Sequence, residues 1–288
     1  MYPFHKIVFP VDFSKRCEAL VPAVKSMAAK HGSAITLFHA LDMPPGGYAE
    51  WYSYAALVDV KSIQEHTQRS MERFAERLFA DVPKVEIAVE DGTPVDALSA
   101  YLKEHSADLV MMASHGHSKF RSLLLGSVTS GLLHDLDLPI WTAAHVLEDP
   151  PHADVIRNIV CAVDLEAKNV EVLKMAKAIA DDYGAALQVV HSEPAVEDLS
   201  HSDSASRFRR FLEFRAREDY APLAAEAGVS EPVLVVEGPV GHSIAAVARN
   251  NNADLVVIGR GVVQGTLGRL RTHAHDIIRR SPCPVLSI

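Results

Sequence analysis

The sequence has little of what marks a secreted, membrane-spanning or nucleic-acid-binding protein. Only three of its 288 residues are cysteines, and Cys17, Cys161 and Cys283 are too far apart for a CxxC motif or a disulfide framework. No apolar run approaches the roughly 18 residues of a membrane helix, and no signal peptide is recognisable. The net charge of −9 argues against a broad nucleic-acid surface. We therefore expect a cytoplasmic protein with neither a membrane nor a nucleic-acid partner.

The chain also lacks the short motifs of several enzyme classes. It has no G-x4-G-K-(S/T) phosphate loop and no G-x-S-x-G nucleophile elbow. Its closest histidine pairs, at 115/117 and at 273/275, have no cysteine or acidic cluster beside them, whereas zinc usually takes three or four ligands. We assign no catalytic residue and no metal site from the sequence.

What the chain does have is an internal repeat of about 145 residues. The run IVFPVD at 7–12 returns as IVCAVD at 159–164, and ADLV at 107–110 returns at 253–256. A repeat of that length is a whole domain rather than a solenoid unit. We predict one domain over residues 1–147, a second over 153–288, and a linker at 148–152, where two prolines disfavour regular structure.

Each half alternates strand-like and helix-like segments. Short buried apolar runs followed by amphipathic stretches predict right-handed βαβ crossovers, and so an α/β fold with a doubly wound parallel sheet of five strands in each half. In the first half we place helices near 16–31, 57–80, 94–105 and 125–135. In the second half we place them near 166–183, 203–227, 240–251 and 271–280.

Ligands of such sheets bind beyond the carboxyl ends of the strands, where the strand order reverses. In the first half this edge collects the segments that follow strands one, two and four. The last of these contains Gly116 and then, at the start of a helix, Gly126 and Ser127. Glycine allows close approach of the backbone to a phosphate, and the free amides of a helix start form an anion site.

These residues resemble those of the universal stress protein family, which has the adenine nucleotide alpha hydrolase-like fold. Nucleotide-binding members carry G-x2-G-x9-G-(S/T) after strand four. The first half matches this motif at Gly116, Gly126 and Ser127 and departs from it at Ala113. Asp12 and the turn at 92–94 also match, and the resemblance extends over both halves. It implies a strand order of 3-2-1-4-5 and Rossmann- or flavodoxin-like domains packed as a pseudo-twofold pair through their last strands.

The resemblance further implies an ATP site in the first half, with magnesium as a possible companion. Phosphates would lie at Gly116, Gly126, Ser127 and Thr129, and Asp12 would face the ribose. Pro10, Val11, Ala113 and Val128 complete the cofactor-binding residues that the resemblance implies. Ala40 and Met112 would flank the adenine. Hydrolysis would be weak at most, since the sequence names no base for it.

The second half departs further from the motif. Asp164 is retained, but Gly259 and Gly261 are separated by one residue instead of two, and Arg271 and Thr272 stand where the motif has its last glycine and hydroxyl. Arg260 would either fill the pocket or pair with an anion from another direction. We expect the weaker nucleotide site here.

Two other functions stay open at this stage. A nucleotide-free interaction or assembly protein would explain Ala113 and the altered second loop, and a pocket that has changed its ligand would make the chain a binder of another small molecule. The family suggests a stress-response role with a regulatory protein partner, and a homodimer of two chains is possible.

One segment carries a separate structural expectation. Phe208, Phe211 and Phe214 follow one another at steps of three among five arginines. This spacing predicts the buried stripe of a helix rather than a nucleic-acid surface.

Overall fold

The structure, a computed structural model, describes residues 2–42, 60–115, 125–144, 155–193, 203–260 and 272–288. The strands are β1 (Lys6–Pro10), β2 (Ala34–Leu41), β3 (Val85–Asp91), β4 (Leu109–Ala113), β5 (Ile140–Ala143), β6 (Asn158–Ala162), β7 (Ala186–Glu193), β8 (Val233–Glu237), β9 (Leu255–Ile258) and β10 (Val285–Ser287). The helices are α1 (Lys15–His31), α2 (Val60–Leu78), α3 (Pro94–His105), α4 (Ser127–Asp135), α5 (Asn169–Tyr183), α6 (Asp203–Ala227), α7 (Val240–Asn250) and α8 (Thr272–Arg280). The linker predicted at 148–152 lies outside the described residues, so the domain bounds stay a prediction.

The strands form one sheet of ten, in the order β3-β2-β1-β4-β5-β10-β9-β6-β7-β8. Each half therefore has the predicted order 3-2-1-4-5, and its strands are parallel. The halves meet where β5 and β10 pair antiparallel, with Trp141 opposite Leu286. The expected pairing through the last strands is present, and it merges two five-stranded sheets into one.

Helices cover both faces of this sheet and bury its apolar strands. On one face the core includes Phe9, Leu109 and Trp141 from the first half together with Cys161 and Val257 from the second. On the other face residues of both halves again share one cluster. Because the strands are covered on both faces, successive side chains of each strand are buried. This explains the continuous apolar runs in the sequence. The core therefore passes without a break through the β5–β10 junction.

Polar side chains fix where two helices begin. The Ser14 side chain accepts a hydrogen bond from the Cys17 amide at the start of α1, and the Thr93 side chain accepts one from the Asp96 amide at the start of α3. Such caps satisfy amides that have no partner within the helix. Gly92 precedes Thr93 with a φ of +134°, a conformation that favours glycine. The sequence pattern at 92–94 is thus a turn that starts α3.

A polar cluster near the pseudo-twofold axis joins the carboxyl ends of α1 and α5. Lys30 and Asp182 stand at equivalent positions of the repeat, and their side chains approach to 3.4 Å. The Tyr2 hydroxyl donates a 2.6 Å hydrogen bond to the Asp182 carboxylate. The Lys30 ammonium also lies 4.3 Å from the centre of the Tyr183 ring. Opposite charges at equivalent positions favour pairing of unlike halves, because two lysines or two aspartates would repel there.

The expectation for the three phenylalanines of α6 was wrong. Phe208, Phe211 and Phe214 are 44%, 52% and 59% exposed. The helix is instead held by Ala216, Tyr220, Leu223 and Ala224, all buried. These four residues, at steps of three and four, form the true packing stripe, and three-residue steps drift away from it around the helix.

The Asp182 carboxylate gives the interface a predictable pH dependence. The hydrogen bond from Tyr2 holds the pKa of Asp182 below its usual range. A carboxyl whose pKa is lower in the folded state than in the unfolded state stabilises the protein at pH values above the unfolded-state pKa of about 4. This stabilisation is lost as the pH falls through the folded-state pKa. Asp182→Asn should therefore lower the free energy of unfolding at pH 7 by at most about 1 kcal/mol, since the carboxylate is partly exposed.

Denaturant unfolding of wild type and Asp182→Asn between pH 3 and pH 7 measures this effect. The difference between them should shrink as pH falls below 4. Asp181→Asn is the matched control, because the ion pair that Asp181 makes within the described part of the chain is with Lys177 of its own helix. An equal and pH-independent loss in both variants would contradict the interface assignment.

Candidate functional site

A crevice of about 310 Å³ opens in the first half at the carboxyl ends of β1, β2 and β4. This is the edge where the strand order reverses, with β1 next to β4. The described residues that line the crevice include ten of the predicted ones. They are Pro10, Val11, Asp12, Ala40, Met112, Ala113, Gly126, Ser127, Val128 and Thr129. Gly116 lies outside the described residues.

Asp12 lies in a tight turn between β1 and α1. Its carboxylate accepts a hydrogen bond of 2.9 Å from the Ser14 amide. The residue between them, Phe13, has a φ of +58°, which costs about 1 kcal/mol or more for a side chain other than glycine. The turn recurs in the second half, where Leu165 has a φ of +64° and Asp164 accepts from the Glu166 amide at 3.1 Å. Both halves therefore hold a carboxylate at the rim of a crevice by the same backbone geometry.

The start of α4 lies against the loop that follows β4. The Gly126 amide donates to the Ser114 carbonyl at 2.8 Å, and a Cβ at residue 126 would stand 3.1 Å from that oxygen. Glycine is needed here for this close approach, since its φ of −60° is ordinary. No side chain caps α4. The Gly126 amide is thus committed to the loop, and the amides of residues 127–129 form the helix start that faces the crevice.

Two residues have roles that the sequence pattern did not predict. The buried Thr129 hydroxyl points to the carbonyls of Ala113 and Ser114, each at 3.4 Å, so it lies between α4 and the end of β4. Ala113 pairs in register with Ala143 as the last residue of β4, and it has no positive φ. The methyl group that departs from the family motif therefore causes no backbone strain.

His39 lines the crevice and was missed by the sequence reasoning. Its Nδ1 lies 2.7 Å from the Val11 carbonyl oxygen, and its ring lies 5.1 Å from that of Phe13. Because a carbonyl only accepts, Nδ1 carries the proton of this bond. His191 makes the same contact with the Val163 carbonyl at 2.9 Å in the second half. The signal was in the sequence, since both histidines stand at the same position of the repeat.

The first crevice contains one thiol, Cys17, and it is not a nucleophile. Burial raises the pKa of the Cys17 thiol to about 12, which keeps it protonated at neutral pH. Burial does the same for Cys161 and Cys283. Within the described ranges, no group of three or more histidine, cysteine or acidic residues is placed to hold a metal ion.

The second half has its own crevice, which at about 570 Å³ is the larger of the two. Asp164 and Gly259 line it together with His191, His273 and Asn169. Asp164 is more heavily engaged than its turn requires, since the Asn169 amide group donates to it and the Lys168 ammonium lies 3.4 Å away. Gly261 and Arg271 lie outside the described residues, and Thr272 is the first residue of α8.

Arg260 does not fill the second crevice, which was one of the two interpretations of it from the sequence. Its amide donates to the Ile288 carbonyl, as the Ser114 amide donates to Ala143, which makes residues 260 and 114 equivalent. The buried Arg260 side chain then turns toward the first half and donates to the Leu138 carbonyl at 2.6 Å. It is a bond between the two halves, and Arg260 is not among the residues that line the second crevice.

The model of the universal stress protein family matches residues 3–143 and again 156–288. The chain therefore belongs to this family and carries two copies of its domain. A universal stress protein of Thermus aquaticus is 32% identical over 139 residues, which are 46% of this chain and 99% of that protein. The curated relative thus corresponds to a single half of the chain.

Solved structures agree with this assignment of the fold. A universal stress protein from Archaeoglobus fulgidus is 22% identical, covers 98% of this chain and 95% of its own, and superposes with a TM-score of 0.67. A universal stress protein in complex with cAMP is 19% identical, covers 46% of this chain and 97% of its own, and has a TM-score of 0.39. A likeness that low says nothing about the ligand of this chain. Within the described residues, no helix has the length and apolar character needed to span a membrane.

The His39 contact predicts a measurable effect on stability. His39→Leu removes the donor to the Val11 carbonyl, and a buried carbonyl left without its donor costs about 1–3 kcal/mol. His66→Leu is the control, because His66 is exposed on α2 and makes no side-chain contact of this kind among those described. Denaturant unfolding should show the loss in His39→Leu alone. Equal stability of the two variants would contradict a positioning role for His39.

Proposed function

We propose that the first half binds an adenine nucleotide, with ATP as the leading candidate and magnesium as its companion. The observation that carries this proposal is the start of α4, which faces the first crevice without a side-chain cap. α1 and α3 of the same half have such caps. A phosphate group at the amides of residues 127–129 would supply the missing negative partner, and the helix dipole would favour its charge.

The rest of the crevice suits a nucleoside placed behind that phosphate. Ser127 offers an exposed hydroxyl beside the helix start, and Asp12 presents a carboxylate that can accept hydrogen bonds from ribose hydroxyls. Ala40, Met112 and Leu98 provide an apolar wall of the kind that an adenine ring needs. We place the base against these residues, the ribose at Asp12 and the phosphates at α4.

The nucleotide would act as a signal rather than as a substrate. Among the described residues of the first crevice, the one thiol is held protonated by burial, and no nucleophile activated by a base is apparent. Binding would instead stabilise one arrangement of the loop that joins β4 to α4, and so alter a surface that a regulatory partner reads. A cytoplasmic stress-response protein, alone or as a homodimer, is the setting that we propose for this role.

The second crevice supports a second candidate, a different small ligand. It is the larger of the two crevices, and Arg260 does not line it. Its Asp164 carboxylate accepts a hydrogen bond from Asn169, whereas Cys17 stands at the equivalent position of the first crevice, so the two rims differ in their side chains. We keep the better adenine-nucleotide site in the first half.

A matched pair of variants assigns the site to one half. Asp12→Asn and Asp164→Asn each replace a carboxylate in the same backbone turn by an amide that can still accept from the turn. Asp12→Asn should weaken ATP binding about tenfold, the equivalent of about 1.4 kcal/mol. Asp164→Asn should leave the affinity unchanged. Isothermal titration with ATP and magnesium measures both, and the reverse pattern would place the nucleotide in the second half.

Gly126→Arg tests the phosphate position itself. The new Cβ would stand 3.1 Å from the Ser114 carbonyl, and the long side chain would occupy the helix start. ATP should no longer raise the melting temperature of this variant, whereas the wild type should gain several degrees at saturating ligand. Ser130→Ala, one turn further along α4, is the control that should still bind. Undiminished binding by Gly126→Arg would overturn the assignment.

A further inference from the structure

The exposed aromatic residues of α6 form a surface that the nucleotide proposal does not use. Phe208, Phe211 and Phe214 are all about half exposed, although Ala216 and Tyr220 hold the same helix firmly in the core. Half-exposed rings of about 200 Å² each offer roughly 300 Å² of apolar surface together. Patches of this size on soluble proteins often mark interaction sites.

Arginines surround these three rings. Arg207, Arg210, Arg215 and Arg217 are exposed on the same part of the helix. We call the seven residues together the basic aromatic face. Arg209 is directed inward, where its Nε lies 3.1 Å from the Glu237 carboxylate of β8. Arg215 and Arg217 form ion pairs of 3.8 Å with Asp219 and Glu213 of the same helix. Among the described residues no ion pair is found for Arg207 or Arg210, so these two carry the positive charge of the face in a chain whose net charge is −9.

A groove of opposite charge lies at the other end of the sheet. It is a cavity of about 490 Å³ between α2 and β3. Four carboxylates, one guanidinium and the apolar side chain of Val89 are among the groups that line it. Its charged residues, the acidic groove, are Glu65, Arg69, Glu72, Glu90 and Asp91. The groove therefore offers an excess of negative charge to an incoming arginine.

The two surfaces cannot meet within one chain. The acidic groove adjoins β3 and the basic aromatic face adjoins β8, and these are the first and last strands of the ten-stranded sheet. Nine spacings of about 4.8 Å separate them by about 43 Å. Two copies of the basic aromatic face would bring like charges together, so a face-to-face dimer is disfavoured. We propose that the basic aromatic face docks in the acidic groove of a second copy of this chain.

This contact is heterologous, since it joins different surfaces of the two copies. In a heterologous contact between two molecules, one of the two surfaces stays unoccupied on each molecule. Further copies can bind there, so the assembly grows into a ring or an open chain. The apolar area is far below what a stable interface buries, so association should be weak and dominated by charge. Its affinity should fall at high salt, because exposed charges are screened beyond about 10 Å at 0.1 M.

Sedimentation velocity of the purified full-length protein tests the proposal. At 50 mM salt the weight-average mass should rise with concentration past two chains, and at 500 mM salt it should return toward one. Arg207→Glu/Arg210→Glu reverses the charge of two arginines of the basic aromatic face. Glu65→Arg/Glu72→Arg reverses the charge of two carboxylates of the acidic groove. Each double variant alone should stay monomeric, whereas an equal mixture of the two should associate again past two chains, because the reversed face of one variant matches the reversed groove of the other, and their unchanged surfaces also match.

Two further variants separate this contact from other effects. Lys103→Glu/Arg249→Glu changes the net charge as much as the basic-face variant does, at exposed sites on α3 and α7, and it should associate like wild type. Phe211→Ser/Phe214→Ser should weaken association without any change of charge. A wild-type mass of one chain at every concentration in low salt would overturn the proposal. Equal loss of association in the Lys103/Arg249 control, or association by either charge-reversed variant alone, would overturn it as well.

Discussion

The antiparallel pairing of β5 with β10 is the constraint on which the rest of the architecture depends. The strands are parallel within each half, but those of the first half run opposite to those of the second. The carboxyl ends of the strands therefore point to opposite edges of the sheet in the two halves. The two crevices therefore open on opposite edges of one sheet. The same pairing leaves β3 and β8 as the two ends of the sheet, and it brings Arg260, which follows β9, close to Leu138, which precedes β5.

That last proximity explains what has become of Arg260. The equivalent residue of the first half is Ser114, which has a small side chain. Its backbone carbonyl accepts a hydrogen bond from the Gly126 amide. In the second half an arginine at this place reaches across the junction to Leu138. The neighbouring Gly259 lines the second crevice, so the rim of this crevice is bonded directly to the first half. The repeat has thus kept its fold, while the residue after the fourth strand adjoins the proposed nucleotide site in one copy and bonds to the other half in the second copy.

Much of this could be predicted from the sequence, because the signals were local. Strands buried on both faces appear as apolar runs, and caps such as Ser14 and Thr93 mark helix starts, so α3 and α6 begin and end where the pattern placed them. The convergence of Asp12, Ala40, Met112 and Gly126 followed from the strand order of the family. What failed depended on packing across the chain. The direction of Arg260 is set by a residue more than a hundred positions away, and the exposure of Phe211 is set by which stripe of α6 meets the sheet.

The central claim is that a nucleotide's phosphates lie at the start of α4 in the first half. The most direct test is a crystal structure of the full chain grown with ATP and magnesium. The account predicts phosphate oxygens about 3 Å from the amides of residues 127–129, the ribose at Asp12 and the base beside Met112. A nucleotide found in the second crevice with the first one empty would contradict it.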